Sequence, residues 1–470
     1  MGLHFPGERL TDLRRGLVAA AEEFGFADVG ACADWLLSAP LTRAQLEILA
    51  GHLTVGETYF FRDRRTFETL GSRVLPGLID ARRGREQRLR LWSAACCTGE
   101  EAYSLAILLH QILPDLAGWH VTILATDINA RFVRKAVAGV YGEWSFRDVP
   151  DGFKERYFNR TTDGRYAVQP EIKQLVTFEH LNLAEDVYPS LATDTNAMDV
   201  IFCRNVLMYF TPRQISRVVG HLHHALVDGG WLAVSPSETS QELFSQFQTH
   251  NFPGVILYQK SDAPARKLPA SWVPPAAAPW RPEPAPTPAL PAPAVESAPR
   301  VSAASLYEQG RYGEAVDVLL ASCAAQPPRH EAYSLLARAL ANQGRLADAL
   351  IWCDRWVAAH KMDAAAHYVR AAVLLELGQP DEARSALQRC LYLESTFVLA
   401  HFALGHLAGS RGHDVQAGKH FANALQLLGR LSADDVLPES DGLTAGRLVE
   451  TIIANERVGA EGMTITRSPA

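Results

Sequence analysis

The sequence predicts an α/β unit built on a mainly parallel sheet, preceded by helices and followed by an all-α repeat. Three observations carry that prediction. The stretch 91–106 (LWSAACCTGEEAYSLA) passes from an apolar run through a turn of small residues into a helix. Residues 66–260 then alternate apolar strand-like runs with helical ones. From residue 310 onward, a glycine and an alanine each recur every 34 residues.

Bulk composition limits the function classes. A chain of 470 residues with 48% hydrophobic and 21% charged residues has ample material for two or three domains. Its formal net charge of −7 argues against a nucleic-acid partner. The seven cysteines are odd in number and form no C-x-x-C pair, which reads as reduced thiols in a cytoplasmic protein. The adjacent Cys96 and Cys97 read as turn fillers rather than metal ligands. The amino terminus lacks a signal-peptide pattern and no stretch reaches membrane-spanning length, so no membrane insertion is expected. Any membrane-protein partner would have to be met on its cytoplasmic side.

Residues 1–65 read as helices, with apolar residues at helical spacing over 10–24 and again over 41–53 after Pro40. The string TVGETYFFRD (54–63) follows, an aromatic triplet running straight into Arg62-Asp63. It fits a hydrophobic staple with a surface ion pair. It also fits an arginine held by packed rings and offered to a ligand carboxylate.

Strands are expected at 88–92, 120–125, 175–179, 198–202, 231–234 and 255–259, with helices at 103–111, 130–138 and 212–226. The last two strands lie close in sequence, which suggests an antiparallel edge. The turn after the first strand carries neither a phosphate-loop lysine nor G-x-G-x-x-G, so a triphosphate or a dinucleotide is not its obvious guest. Glu100 and Glu101 would repel phosphate but accept hydrogen bonds from hydroxyls or an amine. A ligand with ribose and amino-acid groups, such as S-adenosylmethionine, fits better. Alternatively, the two glutamates simply favour a helix N-terminus. Asp127 ends the second strand, where nucleotide-binding folds hold ribose hydroxyls, although it could also cap the next helix. CRNVLMYF (203–210) sits at the end of the fourth strand, and its Arg, Asn and Tyr would be costly to bury without partners. Residues 141–178 break the α/β rhythm and suggest a small β-hairpin insertion.

Residues 261–302 are rich in Pro and Ala and cannot bury a core, so they read as an extended tether. Beyond them QGRYGEA, QGRLADA, LGQPDEA and RGHDVQA place Gly310, Gly344, Gly378 and Gly412 in step with Ala315, Ala349, Ala383 and Ala417. This is the tetratricopeptide signature, a helical solenoid whose groove takes a protein or peptide. A further amphipathic stretch at 443–455 reads as a capping helix.

TVGETYFFRD, LWSAACCTGEEAYSLA, LATDIN, LNL, FCRNVLMYF and LVDGGWLAVSPSE together resemble the CheR family of chemotaxis-receptor glutamate methyltransferases. The resemblance covers roughly residues 10–260. It implies a Rossmann-like methyltransferase domain (66–260) with a small β subdomain (139–180), behind an N-terminal helical domain (1–65). The repeats would span 303–430, and 431–470 would be a capping helix and tail. The family transfers a methyl group from S-adenosyl-L-methionine, leaving S-adenosyl-L-homocysteine, to glutamates on the cytoplasmic helices of receptors.

By motif position, the resemblance assigns Thr58, Arg62, Glu100 and Asp127 to the cofactor, with Asn182 and Leu183 beside its adenosyl part and then Arg204 and Asn205. Tyr209 matches the tyrosine near the transferred methyl, and Arg62 would hold the cofactor end. Gly56 stands where the family often has asparagine, so one cofactor contact would be lost. Ser235-Pro236 replaces a usual glycine. The short loop after Phe158 resembles relatives that do not dock a receptor tail, which leaves docking to the repeats.

No base is needed for such chemistry, because a glutamate with an ordinary pKa of about 4.3 is already ionised. A metal site at His221, His223 and His224 lacks a completing ligand, and a solvated helix face explains these histidines better. The alternatives are methylation of a small carboxylic acid and a non-catalytic scaffold that binds S-adenosylmethionine and acts through its repeats.

Overall fold

The computed structural model describes residues 1–39, 41–261, 302–325 and 330–453. The tether expected at 261–302 falls almost wholly outside these residues, as does the tail beyond 453.

Three helices, α1 (Leu10–Glu23), α2 (Val29–Leu37) and α3 (Arg43–Leu53), pack around Ala20, Ala21, Cys32, Leu36 and Leu49. The helix α2 carries no clear apolar stripe in the sequence, which is why patterning misses it. It is started by Asp28, whose carboxylate accepts from the Ala31 N–H at 2.7 Å. A π-helical turn at Leu70–Val74 joins α4 (Arg64–Thr69) to α5 (Leu75–Arg82).

The α/β unit follows as β1 (Arg88–Ala94), α6 (Glu100–Ile112), β2 (His120–Asp127), α7 (Ala130–Ala138) and β3 (Val140–Tyr141). Next come α8 (Phe153–Tyr157), β4 (Phe158–Arg160), β5 (Tyr166–Val168), α9 (Pro170–Lys173), β6 (Val176–His180) and β7 (Met198–Phe202). It ends with α10 (Pro212–Ala225), β8 (Leu226–Ala233), β9 (Gln248–Phe252) and β10 (Val255–Gln259).

Seven strands form one sheet in the order β6-β2-β1-β7-β8-β10-β9. The first five are parallel, and β10 runs antiparallel to both β8 and β9. All seven positions of β1 are buried, as a central parallel strand covered on both faces requires. Chain order reverses between β1 and β7, and that switch point opens a crevice at the strands' carboxyl ends. The insertion forms a three-stranded sheet of its own, β3-β5-β4.

Two strands depart from expectation. The strand β8 begins at Leu226 rather than 231, because Gly229-Gly230 is absorbed as a register shift opposite Met198–Val200 instead of ending the segment. The strand β9 (QTHNF) is polar and pairs only with β10 at the sheet edge, so it shows no apolar pattern to read.

The repeats are four helix pairs: α11 (Ala303–Glu308) with α12 (Tyr312–Ala325), α13 (His330–Asn342) with α14 (Leu346–Ala359), α15 (Ala364–Glu376) with α16 (Pro380–Leu393), and α17 (Val398–Gly409) with α18 (Asp414–Leu428). Each periodic glycine closes the first helix in the left-handed region, at φ of +69°, +75°, +70° and +72°. The following N–H reaches back to a carbonyl five residues earlier, as from Arg311 to Leu306 and from Gln379 to Leu374, both at 2.9 Å. The periodic alanines are all buried where the paired helices meet.

The turns at Gly344 and Gly378 abut the amino-terminal ends of sheet strands. A Cβ at Gly344 would come within 3.1 Å of Val227, and one at Gly378 within 3.0 Å of His120. The repeats therefore pack on the opposite end of the sheet from the crevice. A helix over 445–453 follows them, within the expected capping stretch.

Candidate functional site

The crevice is a cavity of about 930 Å³, open solvent at its mouth included. It lies at the carboxyl ends of β1, β2 and β7. The turn after β1 shapes its floor, with Ala95, Cys97 and Gly99 all in the left-handed region. A Cβ at Gly99 would meet that of Ala136 at 2.8 Å, so only glycine fits there.

Asp127, the last residue of β2, is buried and held by two backbone N–H groups, those of Cys97 and Asn129, both at 2.8 Å. Burial nevertheless pushes its carboxyl up to about 6, and the backbone donors oppose that shift. The same burial, with Asp127 beside it, pushes the Cys97 thiol up to about 12, so this thiol is a neutral wall.

The two helix-start glutamates separate. Glu101 faces the cavity, where it accepts from Ser93 Oγ at 2.7 Å and pairs with Arg204 at 3.3 Å. Glu100 is turned away from the cavity, accepting from Thr98 Oγ1 at 2.6 Å and from Ser145 Oγ at 2.9 Å. Their adjacency in sequence cannot say which one faces in, because neighbouring positions lie about 100° apart on a helix. Gly56 also stays out of the lining. A Cβ there would meet the Phe132 ring at 2.6 Å, and it is Phe132 that faces the cavity.

Thr58, Arg62, Asp127, Asn182, Leu183, Arg204, Asn205 and Tyr209 all line the cavity. Of the aromatic triplet, Phe60 is buried scaffolding, while Tyr59 and Phe61 are half-buried. Phe60 is fully buried and stacks on Phe146 at 5.0 Å, with Tyr141 and Phe158 edge-on at the same distance. Phe61 packs on Phe67 and Phe153. Arg62 and Asp63 form no surface ion pair with one another. Arg62 donates to the Glu57 carbonyl at 2.6 Å, while Asp63 takes Arg204 at 3.2 Å and Thr66 Oγ1 at 2.6 Å. Arg204 also donates to the Arg62 carbonyl at 2.9 Å. Arg204 thus fixes the Arg62 backbone against Glu101, and its own guanidinium is nearly spent on protein partners.

Tyr209 lies half-buried at the mouth, with the Arg9 guanidinium 4.7 Å from its ring centre. Burial raises its hydroxyl pKa, while Arg9 and then Arg62 oppose that. Two features were not singled out from the sequence. Met1 and Leu3 line the cavity, and the His4 N–H donates to the Tyr209 carbonyl at 2.7 Å. The carboxylate of Glu238 accepts from the backbone N–H of Asn205 at 2.8 Å and of Val206 at 2.7 Å. Ser235 Oγ donates to the same carboxylate at 2.6 Å. The S-x-x-E spacing of a capping box was the available signal for Glu238, and it gives Ser235 its role.

The α10 histidines do not form the solvated face expected of them. His221 lies edge-on to Tyr188, His223 packs on Phe247, and His224 meets the Gly310 turn. Burial lowers His223 to about 3 and His224 to about 4, each with Lys260 adding to the effect. Among the described residues, no group of three or more His, Cys, Asp or Glu could hold a metal ion. No described helix is long and apolar enough to cross a membrane. All seven cysteines are free.

Comparison with known proteins bears on this geometry. Residues 56–255 match the family described as CheR methyltransferase, SAM binding domain. The chain is 38% identical over 219 residues to chemotaxis protein methyltransferase 1 of Pseudomonas aeruginosa, covering 46% of this chain and 77% of that one. The chain belongs to the CheR methyltransferase family. Chemotaxis protein methyltransferase 2 of Vibrio cholerae is 34% identical over 216 residues, covering 46% of this chain and 73% of its own length. As a CheR-type methyltransferase the protein takes S-adenosyl-L-methionine as its cofactor.

Residues 302–361 match the tetratricopeptide repeat family, and the helix pairs continue the same architecture to Leu428. Among solved structures, MamA residues 41-end from Desulfovibrio magneticus RS-1 aligns at 22% identity, 28% of this chain and 73% of that one, with a TM-score of 0.26. That score is too low to argue from.

Proposed function

We infer that the protein transfers a methyl group from S-adenosyl-L-methionine to glutamate side chains on the cytoplasmic domain of a chemoreceptor, forming methyl esters. One observation carries the reading. The described residues that line the cavity include no histidine and no lysine, and its three carboxylates, Asp127, Glu101 and Glu57, each have a partner, Glu57 in Arg147 at 3.5 Å. With no base at hand, the site suits an acceptor that is a nucleophile without deprotonation. A glutamate, ionised at neutral pH with an ordinary pKa of about 4.3, is such an acceptor.

The cavity suits the cofactor in its chemistry. Asp127 keeps lone pairs beyond its two backbone donors, and ribose hydroxyls would fill them. Thr58, Asn182, Leu183 and Asn205 would line the remainder, with Arg62 at the amino-acid end. Arg204 and Glu100 act at one remove, Arg204 through Arg62 and Glu101, and Glu100 through the turn at Thr98. Gly56 acts through Phe132. When bound, the cofactor supplies an electrophilic methyl on a sulfonium and leaves as S-adenosyl-L-homocysteine. The chain's part is to exclude water and to aim the incoming carboxylate, a task assigned to the Tyr209 hydroxyl at the mouth. The reaction places the protein in the cytoplasm, beside the receptor's inner face. Docking is assigned to the repeats, since the β4–β5 hairpin is short.

The test incubates the full chain and Tyr209→Phe with radiolabelled S-adenosyl-L-methionine and cytoplasmic fragments of the host's chemoreceptors, scoring base-labile methanol. Label that disappears when receptor glutamates are changed to alanine supports the reading. Unchanged turnover by Tyr209→Phe would remove Tyr209 from it. Tight cofactor binding without label on any receptor would leave the scaffold that acts through its repeats.

A further inference from the structure

The chain itself covers the face that α11 and α13 present. After α18 it turns back, and residues 437–448 pack into the core of the repeats, with Glu439 and Asp441 bonded to α11 and α13. Leu437, Leu443, Ala445 and Leu448 are buried in one core with the repeat helices. Between these apolar anchors stands an acidic turn, Glu439-Ser440-Asp441-Gly442. Asp441 accepts from Tyr307 Oη of α11 and from an Arg338 guanidinium nitrogen of α13, both at 2.8 Å. Glu439 accepts from Ser334 Oγ at 2.6 Å and lies 3.5 Å from Arg338. Arg338 also covers the Tyr307 ring at 5.3 Å, and Asn342 donates to Tyr307 Oη at 2.9 Å.

The turn is costly to hold. Glu439 and Asp441 both adopt left-handed backbone, at φ of +57° and +54°, which non-glycine residues rarely do. It is pinned by a bridge between Val436 and Thr444 and by Ser440 Oγ, which donates to the Leu437 and Leu443 carbonyls. Burial raises Asp441, and Arg338 opposes that shift. A strained acidic turn, seated by a half-buried arginine, a tyrosine and a serine on three groove positions, is a ligand in a receptor rather than filler.

We propose that the groove of the repeats is a receptor for an acidic turn peptide with flanking leucines, of the form Leu-Pro-Glu-x-Asp-Gly-Leu. Residues 437–443 occupy it in cis until a partner segment of the same chemistry displaces them. The occupant also reaches the methyltransferase unit. The Ser440 carbonyl accepts from Ser190 Oγ at 3.1 Å, and Arg447 pairs with Glu185. Glu185 in turn takes Asn182 Nδ2 at 2.6 Å, and Asn182 lines the cofactor cavity. Displacing residues 437–443 breaks the Ser440–Ser190 bond, and Arg447, four residues further on, is the link that leads to the cavity. The inference does not depend on the identity of the methyl acceptor.

The test is the binding of a fluorescein-labelled synthetic peptide spanning residues 434–448, followed by anisotropy. It is titrated with the full chain and with the full chain carrying Glu439→Lys and Asp441→Lys. A tethered segment competes at an effective concentration in the millimolar range, so the intact chain should bind the peptide at least about tenfold more weakly than the variant. Adding Arg338→Glu to the variant should abolish the gain. Equal affinity of the intact chain and a variant that still binds cofactor overturns the proposal. So does dimerisation of the intact chain that the variant loses, which would make the segment of a second copy the occupant. If the charge reversals prevent folding, Asp441→Asn gives the same comparison, with tighter peptide binding expected and unchanged binding decisive against it.

Discussion

Arg88, the first residue of β1, and Glu376, the last residue of α15, meet at 3.3 Å although 288 positions separate them in the chain. Both are almost wholly buried. Glu376 also accepts from Asn196 Nδ2 at 2.9 Å and lies 3.9 Å from Arg90, whose other partner is Asp194 at 2.7 Å. Arg90 keeps Asp194 within the α/β unit, whereas the carboxylate that pairs with Arg88 comes from the repeats.

Glu376→Ala should therefore be far more damaging than loss of a surface ion pair. Removing one partner of a buried pair typically costs about 3–5 kcal/mol, because the other charge stays buried and uncompensated. The expected result in denaturant is an early unfolding step of the repeats that the intact chain lacks. Replacing Arg88 by Met together with Glu376 by Leu should recover much of the loss. A single mutant as stable as the parent would mean the pair is solvated in solution.

The packing of repeats on sheet was not legible in the sequence, and the reason is physical. The apolar run at 88–92 and the 34-residue period each specify local structure, and both are realised. Which buried arginine meets which glutamate depends on two surfaces brought together, and no spacing encodes that. The same limit applies within the site. Asp127 at a strand end is placed by topology alone, whereas choosing between Glu100 and Glu101 needs the rotation of one helix. Likewise Gly56 marks a departure from the family pattern, but only the position of Phe132 shows what it accommodates.

Asp127 should make cofactor binding pH-dependent. Its carboxyl stands at about 6 against an ordinary value of about 3.9, and burial is the main cause. A carboxyl raised by folding stabilises the cofactor-free chain fully below the unfolded value. That contribution is lost as pH rises through about 6. Cofactor binding has the opposite sign if the ionised group accepts from ribose hydroxyls. Affinity for S-adenosyl-L-homocysteine, measured by calorimetry, should rise about tenfold between pH 5 and pH 7.5 and then level off. Asp127→Asn should bind weakly with no such slope. A flat profile in the parent chain would separate Asp127 from the ligand.

Gly56→Asn, which restores the residue common in the family, should weaken cofactor binding here. The added Cβ would stand 2.6 Å from the Phe132 ring and drive it into the cavity. Overpacking of this kind costs about 1–3 kcal/mol, or roughly tenfold in affinity. Shortening the neighbour with Phe132→Leu in the same chain should restore much of the loss. Tighter binding by Gly56→Asn alone would show instead that the asparagine side chain reaches the ligand.

Glu238 should prove to be a positioning residue for the segment that carries Asn205 and Tyr209. Asn205 sits in left-handed backbone at φ +58°, and its N–H and that of Val206 both donate to the Glu238 carboxylate. Hydrogen bonds to a charged acceptor are worth about 1.5–3 kcal/mol each. Without them, the segment has little to hold an unfavoured conformation. Glu238→Gln keeps the shape but turns one acceptor oxygen into a donor facing those N–H groups. Turnover should fall by about tenfold or more, with a much smaller change in cofactor affinity, because most of the cavity is built from other elements. Glu238→Asp keeps the charge and should recover part of the turnover. A loss confined to cofactor affinity, with turnover at saturation unchanged, would place Glu238 in the binding of the cofactor rather than behind Tyr209.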